Sequence, residues 1–410
     1  MKIAIYFFPV ALIILSCAKN EDLRVQELPN TAVELLEMEA SLVGMPTESN
    51  YNRSLPNYLG VLGMQVQQAD DRKAGLGRVL FYDKNLSKDR SVSCASCHKQ
   101  SRAFSDDVAF SHGVEGNLTS RNAQPLANIA SFSAHYSSIN GKTPMLFWDE
   151  RSSDVASQSR QTFGNPLEMG LEMDQVVDRI MEQKYYPYLW RRVYGHFEPT
   201  EAEVLECLQE FVGAMGSHSS SLDRSLDQAL EQFENPTVTQ SDTIITAFYY
   251  GGNDTIINTI VTGLPGMNAS QNRGRDIFVA NCTKCHSPVR PFQQVFAACN
   301  GLDLEYSDKG LAQLTGLPAD EGVFKSPSLR NIALTAPYMH DGRFKTLEDV
   351  VDFYSEGVKR HPNLHPLMVH EGSAQLNLSP GQKQDLISFL HTFTDEQITY
   401  DFRFSNPFKR

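Results

Sequence analysis

Apolar residues recur along much of this chain with the three-to-four-residue spacing of a helix that buries one face. The segments 173–180 and 347–354 both show this period. A Ser-Pro-Gly-Gln sequence at 379–382 is typical of a helix start, because serine caps the first turn and proline fits the first helical position. Apolar residues on one face of 386–393 follow it. Strand-like alternation is scarce, so the pattern predicts a mostly α protein with long loops.

The extreme N-terminus carries an apolar run of a different kind. Residues 3–15 are too few to span a bilayer as a helix, and with Lys2 before them they fit a signal peptide. The run ends in Ile-Leu-Ser-Cys and resembles a bacterial lipobox, which implies cleavage before Cys17 and lipidation of its thiol. The alternative is an ordinary secretory signal with an incidental cysteine. We predict a signal peptide at 1–16, a polar tether at 17–50, and a membrane-anchored lipoprotein in the periplasm of a Gram-negative bacterium.

Composition and charge narrow the classes of function. The chain has 410 residues, of which 41% are apolar and 21% charged, so it can bury a substantial core. Its formal net charge of −13 argues against binding to nucleic acid and favours a basic macromolecular partner. No long apolar run follows the N-terminal one, which excludes a polytopic membrane protein.

Two identical cysteine motifs carry the clearest chemistry. CASCH at 94–98 and CTKCH at 282–286 both have the C-x-x-C-H form, the attachment signature of c-type haem. Two thiols this far apart can reach the two vinyl groups of one porphyrin, and the next histidine can ligate the iron. Export agrees with this prediction, because c-type haem is attached outside the cytoplasm. The predicted haem-binding residues are Cys94, Cys97, His98, Cys282, Cys285 and His286.

Other uses of these cysteines are weaker. A redox dithiol does not need the following histidine twice, and a zinc site needs further ligands at matching distances, which the chain lacks near either motif. Cys207 lies in an apolar helical stretch and is predicted to be a buried thiol. A disulfide between Cys207 and Cys299 stays open as an alternative.

The spacing of the motifs indicates two cytochrome-c-like haem domains. Each motif is preceded by a similar segment, GRVLF at 77–81 and GRDIF at 274–278, and followed by an Arg-Asn pair. Residues 235–272 are rich in Gly, Asn, Thr and Pro, which is typical of a connection. We predict an N-terminal haem domain at 51–234, a linker at 235–272 and a C-terminal haem domain at 273–410.

Several segments taken together, over about residues 57–395, resemble the bacterial di-haem cytochrome c peroxidases. They are LFYDKNLSKDRSVSCASCH, RNAQPLAN, FWDER followed by NPLEMG, FKSPSLRNIALTAPYMHDG and TLEDVVDFY. The resemblance implies an N-terminal peroxidatic haem, a C-terminal electron-transfer haem and a Ca²⁺ ion between them. It also implies H₂O₂ as oxidant and a small redox protein as electron donor. The same superfamily includes a di-haem enzyme that matures methylamine dehydrogenase by oxidising a protein.

The resemblance also assigns residues to the reaction. Trp148 matches a tryptophan between the haems, with a core tryptophan as the alternative. Gln158 and Glu168 match the Gln and Glu of the peroxide site, although an exposed Glu at a helix start is the alternative for Glu168. A carboxylate near the haem can move a proton between the peroxide oxygens, and an amide can orient peroxide. Glu150 stands where relatives often carry Gly, which adds a negative charge at this position.

Metal ligation is the remaining expectation from the family. Asn122, Thr335 and Pro337 match the Ca²⁺ positions, where backbone carbonyls suit a hard cation.

The two motifs do not identify the sixth ligand of either haem iron. Tyr354 matches the distal ligand of the haem on His286, with a core tyrosine, Met339 and Met368 as alternatives. For the haem on His98, the family's blocking histidine follows a glycine, a position that Val114 occupies here. An open iron is therefore preferred to ligation by His112.

Three functions follow from these assignments. The first is a peroxidase that reduces H₂O₂ with electrons from a c-type cytochrome or cupredoxin. The second is a di-haem oxidase of a protein substrate, which Tyr354 suggests. The third is a di-haem electron-transfer cytochrome without chemistry of its own. A homodimer stays open as the oligomeric state.

Overall fold

The computed structural model describes residues 50–51, 55–61, 68–129, 145–231, 263–283, 285–286, 297–370 and 372–408. The predicted signal peptide, Cys17, nearly all of the tether and residues 235–262 of the linker lie outside the described residues. The described residues belong to one compact unit.

Helices dominate the described ranges, and the mostly α prediction is confirmed. The helices are α1 (Asn57–Val61), α2 (Asp71–Tyr82), α3 (Cys94–Cys97), α4 (Val155–Gly164), α5 (Met173–Met181), α6 (Tyr185–Tyr194), α7 (Glu201–Gly213), α8 (Ser221–Leu230), α9 (Ala269–Asn281), α10 (Ala312–Thr315), α11 (Leu347–Asp352) and α12 (Pro380–Leu390). Within the same ranges the named strands are β1 (Ala297–Ala298) and β2 (Phe324–Lys325), which pair antiparallel. No helix in the described part of the chain is both long and apolar enough to cross a membrane.

The predicted helix start at 379–382 is capped by its own side chains. At α12 the Ser379 hydroxyl accepts a hydrogen bond from the Gln382 backbone N–H at 3.4 Å, and the Gln382 side chain accepts one from Ser379 N at 2.9 Å. This reciprocal pair satisfies two donors that the first helical turn leaves free. The predicted helix at 347–354 instead divides, since α11 continues at Phe353–Gly357 as a π-helical turn.

The internal duplication seen in the sequence corresponds to two helix crossings. α2 packs against α7, and α9 packs against α12. At each crossing a glycine admits the partner's backbone: a Cβ on Gly77 would lie 1.9 Å from the Cys207 carbonyl oxygen, and one on Gly274 would lie 1.9 Å from that of Asp385. Glycine at the same place in GRVLF and GRDIF therefore sets how closely both helix pairs approach.

Replacing Gly77 with Ala is expected to destabilise the protein by at least about 1–3 kcal/mol, the usual effect of overpacking, because a backbone carbonyl cannot turn aside. Gly75→Ala is the matched control. Gly75 lies in the same helix with nothing within 4 Å of its Cβ position, so the helix preference of alanine should stabilise the fold by up to about 1 kcal/mol. Urea unfolding followed by circular dichroism measures both, and equal midpoints for the two variants would contradict the prediction.

Three clusters of buried apolar side chains form the interior. The first is built from α2, α4, α5, α6 and α7 and also holds Ile398 and Phe404 from the end of the chain. The second is built from α9, α11 and α12, together with residues of α1 and α8. The third contains Cys299, Tyr306 and Phe324. Segments from each end of the chain thus pack into the core of the opposite half, and the predicted domain boundaries stay a prediction.

Candidate functional site

The first C-x-x-C-H motif forms a tight turn. Cys94–Cys97 make the single turn α3, and His98 N donates to the Cys94 carbonyl at 2.9 Å. Ser93 and Ser96 cap this turn reciprocally. Both thiols are free and both line a cavity of about 260 Å³ that His98 also lines.

The second motif repeats this geometry at the end of α9. His286 N donates to the Cys282 carbonyl at 2.8 Å, and neither Cys282 nor Cys285 forms a disulfide. With His286 they line a second cavity, of about 210 Å³.

Both histidines are prepared to ligate a metal. His98 Nδ1 lies 2.8 Å from the Phe104 carbonyl oxygen, and His286 Nδ1 lies 3.0 Å from that of Pro327. A carbonyl can only accept, so Nδ1 carries the proton and Nε2 keeps a lone pair for iron. Burial lowers the pKa of both histidines and favours this neutral form. In each cavity, two cysteines that form no disulfide lie beside a neutral imidazole, and this set fits a c-type haem.

Attachment can be tested one haem at a time. Protein matured with the haem-attachment machinery is expected to gain the mass of two haems. Cys94→Ala or Cys282→Ala should each weaken or abolish one attachment, whereas Cys207→Ala, which removes a buried thiol outside the motifs, should leave both. Intact-mass measurement gives the number of attached haems. A wild-type mass with one haem or none would overturn the prediction of two.

The residues predicted for the peroxide site line the cavity of His98. Gln158 comes from α4, and Glu168 follows it in the loop before α5. The Glu168 side chain accepts a hydrogen bond from Asn165 Nδ2 at 2.7 Å. Burial raises the pKa of Glu168, although hydrogen bonds from Thr162 and Asn165 oppose the shift. The structure therefore brings a half-buried carboxyl and an amide into the same cavity as the haem motif.

The loop that carries His112 packs on the backbone beside Glu168. Val114 N donates to the Glu168 carbonyl at 3.0 Å, and a Cβ on Gly113 would lie 1.9 Å from the Leu167 carbonyl oxygen. In this arrangement the His112 side chain is exposed and is not part of the cavity lining. The open iron on His98 and its alternative, ligation by His112, both stay predictions.

All three candidates for the other distal ligand reach the second cavity. Tyr354, Met339 and Met368 line it together with His286. Tyr354 lies in the π-helical turn, a feature that often marks functional positions. Its hydroxyl accepts a hydrogen bond from Asn300 Nδ2 at 3.4 Å, and burial raises its pKa to about 12. Tyr354 as ligand stays a prediction.

Tyr354→Phe tests the distal ligand directly. The change keeps the packing and removes the oxygen, so the ferric spectrum of one haem should change and its reduction potential should rise, because phenolate favours Fe(III). Met339→Leu and Met368→Leu are the controls and should leave the spectrum unchanged. A Tyr354→Phe spectrum identical to wild type would transfer the role to a methionine or leave the position unoccupied.

The two cavities share a wall, which we call the partition. Its residues are Asn122, Gln124, Pro125, Trp148 and 325–328, each of which lines both cavities. Trp148 Nε1 donates to the Asn122 carbonyl at 2.8 Å, and Lys325 N donates to the Trp148 carbonyl at 2.7 Å. Trp148 thus lies between the cavities, where the family resemblance expects it. Gln124 and Lys325 lie in the family-like segments RNAQPLAN and FKSPSLRNIALTAPYMHDG, but the sequence analysis assigned neither of them a role in the site.

The predicted Ca²⁺ residues also meet at the second cavity. Asn122, Thr335 and Pro337 line it, and Asn122 Nδ2 donates to the Val108 carbonyl at 3.1 Å, which leaves Oδ1 as the amide atom for a cation. Among the described residues, no group of three or more His, Cys, Asp or Glu side chains is placed to hold a metal. A Ca²⁺ here would depend on amide, carbonyl and water oxygens, and it stays a prediction.

The two remaining described cysteines are separate buried thiols. Cys207 lies in the first core beside Tyr194, with 3.4 Å between Sγ and the hydroxyl, and Cys299 lies in the third core beside Tyr306. Both are free, so the structure has no disulfide between them.

Comparison with known proteins places these features in context. Residues 71–238 match the family described as di-haem cytochrome c peroxidase. The chain is 27% identical over 380 residues to methylamine utilization protein MauG of Paracoccus denitrificans, covering 81% of this chain and 91% of that protein. It is also 27% identical over 333 residues to cytochrome c551 peroxidase of Nitrosomonas europaea, covering 79% and 80%.

A solved structure has the same fold. A MauG-like protein associated with microbial copper homeostasis is 27% identical to this chain and superposes with a TM-score of 0.63, covering 83% of this chain and 94% of that one. The relatives thus carry two kinds of name, peroxidase and MauG, around one di-haem architecture.

Proposed function

We infer that this chain belongs to the di-haem cytochrome c peroxidase family, and from this premise we propose that it reduces H₂O₂ to water with electrons from a small redox protein. The observation that carries the proposal is the meeting of Gln158 and Glu168 with His98 in one cavity. The reaction balances as H₂O₂ with two electrons and two protons giving two molecules of water.

The haem on His98, when bound, supplies the iron chemistry that cleaves the O–O bond. The residues around it supply orientation and proton transfer. Gln158 can donate from its amide to a peroxide oxygen, and the Glu168 carboxylate can take a proton from one oxygen and return it to the other. Burial, which raises the pKa of Glu168, makes that carboxylate a better base than an exposed one.

The partition gives electrons a short path between the cavities. Trp148 contacts both, and its indole is fixed by the hydrogen bond to Asn122. A donor protein would reduce the haem on His286, and the partition would pass the electrons on. The net charge of −13 favours a basic donor, whose association should weaken as salt rises.

Steady-state turnover tests the proposal. Reduced small c-type cytochrome or cupredoxin is mixed with the matured protein and H₂O₂, and oxidation of the donor is followed by absorbance. Two one-electron donors should be oxidised for each peroxide consumed. Donor oxidation that does not depend on peroxide would indicate an electron-transfer cytochrome and overturn the peroxidase.

A second candidate is the oxidation of a protein substrate at the expense of peroxide. Tyr354 favours it, since a phenolate on the haem of His286 would stabilise the oxidised form and oppose reduction by an ordinary donor. Peroxide consumption without oxidation of either donor protein would favour this candidate.

We also propose that the protein is exported and tethered to the membrane by lipid on Cys17. The support is the short apolar run ending in Leu-Ser-Cys. Cys17→Ala should release the protein from the membrane fraction, provided that processing still occurs. Wild-type protein that is fully soluble, with an unmodified Cys17, would contradict the tether.

A further inference from the structure

Two polar side chains of the partition can donate hydrogen bonds. Gln124 Nε2 is buried and has no hydrogen-bond partner among the described residues. Lys325 also lines both cavities, and the electrostatic partner given for its ammonium is Glu150. A buried amide without a partner destabilises a protein, and a cation in a buried wall needs acceptors beside it, so these two donors in one wall favour an anionic group there.

The environment of Lys325 supports this view. Burial lowers its pKa to about 8, while the charge of Glu150 acts in the opposite direction. Its backbone is fixed, because Lys325 lies in β2 opposite Ala297 and its N–H donates to Trp148. The backbone of Lys325 is therefore fixed at the partition by the strand pair and by Trp148.

Glu150 is the second charge of this site. Its backbone has a φ of +59°, in the left-handed region that favours glycine, which makes a side chain there unfavourable by about 1 kcal/mol. The fold retains this conformation with a glutamate, and that glutamate lines the cavity of His98. Strained residues of this kind concentrate at functional sites, where the side chain compensates for the strain.

We propose that Lys325 and Gln124 form an anion site in the partition that holds a propionate carboxylate of a bound haem, and that Glu150 sets the net charge of this site. Haem carries two propionates, and a carboxylate in a buried wall needs a cation or amide donor beside it. The proposal rests on the two-haem occupancy of the proposed function. It makes Lys325 a positioning residue that acts on the iron through its charge.

The sign of the electrostatic effect follows directly. A cation beside a haem stabilises the electron-rich ferrous form and raises the reduction potential. Lys325→Met removes the charge at similar length, so it should lower the equilibrium constant for reduction of the haem it contacts about tenfold, which is 59 mV for one electron. Glu150→Gln removes the opposing charge and should shift the potential of the haem on His98 upward.

The experiment is a spectroelectrochemical titration of the matured full-length protein without peroxide, so it reads the haems independently of turnover. Lys325→Arg keeps the charge and should keep both potentials within about twofold in the equilibrium constant. Lys309→Met is the matched control, because it removes the same charge from an exposed lysine paired with Glu321. Haem content and circular dichroism identify any variant that fails to fold or to bind both haems.

The outcomes separate the alternatives. Opposite shifts in Lys325→Met and Glu150→Gln, with Lys325→Arg and Lys309→Met near wild type, support the site. Equal potentials in wild type and Lys325→Met would overturn it, as would a Lys325→Arg shift like that of Lys325→Met, which would indicate packing rather than charge. Loss of peroxidase activity with normal potentials would instead count against the proposed function alone.

Discussion

Glu168→Gln is expected to slow the reaction of the fully ferric protein with H₂O₂ by about 10²–10⁴-fold, the usual loss when a general acid–base is removed. The glutamine oxygen can still accept the hydrogen bond that Asn165 Nδ2 gives to Glu168. The loop and both haems should therefore remain in place. Stopped-flow mixing measures the rate, and haem content confirms attachment.

The pH profile provides an independent test of the same residue. Burial raises the pKa of Glu168, so the basic form is lost as pH falls through a value above the ordinary one for glutamate, about 4.3. The rate of the wild-type protein should fall on this acid side, and the Glu168→Gln profile should lack that limb. Glu182→Gln is the control, since Glu182 is an exposed partner of Arg90.

One result would contradict the role of Glu168, and another would contradict the open iron on His98. A Glu168→Gln protein that reacts at the wild-type rate would exclude Glu168 as the proton carrier. A ferric protein that is inert until one haem is reduced would contradict the open iron and restore His112 as a ligand. The second result would require the loop at 111–119 to leave its present contact with the Glu168 backbone.

Patterns within short segments of the sequence predicted the parts of the structure that are formed by residues close together in the chain. The two haem turns are each contained in five residues, so their cysteines and histidines could be assigned from sequence alone. The helical period at 173–180 predicted α5, which begins and ends within one residue of that segment. The period also predicted a helix through Tyr354, but not the π-helical turn that places it.

Long-range packing determined the rest. The partition joins Asn122, Gln124, Pro125, Trp148 and 325–328, whose approach depends on how both halves fold. Lys325 and Gln124 have no local pattern that marks them as wall residues. Glu150 could be identified only as a departure from the family, and its backbone conformation gave that departure a physical meaning.

Asp223→Asn is expected to destabilise the folded protein by about 3–5 kcal/mol at neutral pH, because it leaves a buried arginine without its counter-ion. Arg330 donates to both oxygens of Asp223, from Nη1 at 2.9 Å and from Nη2 at 2.8 Å. Tyr58 and Ser220 donate to the same carboxylate. The pair ties α8 to the segment that leads from the partition.

The dependence on pH has a definite sign. Burial opposes ionisation of Asp223, yet Arg330 holds its pKa well below the usual value for aspartate, about 3.9. A carboxyl with a lowered pKa in the folded state contributes its full stability above the unfolded value. The contribution of Asp223 should therefore be constant above about pH 5 and decline only as pH falls below about 4.

Chemical unfolding of the matured protein, followed by circular dichroism at pH 7 and in steps down to pH 3, measures both effects. Asp223 does not line either cavity described above, so the haem spectra serve as a check that the folded state is unchanged. Glu321→Gln is the matched control, since it breaks a half-exposed pair with Lys309 and should lower stability by no more than about 1 kcal/mol. If Asp223→Asn were no more destabilising than Glu321→Gln, the buried pair would not hold these segments together, and the packing of α1 and α8 on the second core would have to suffice.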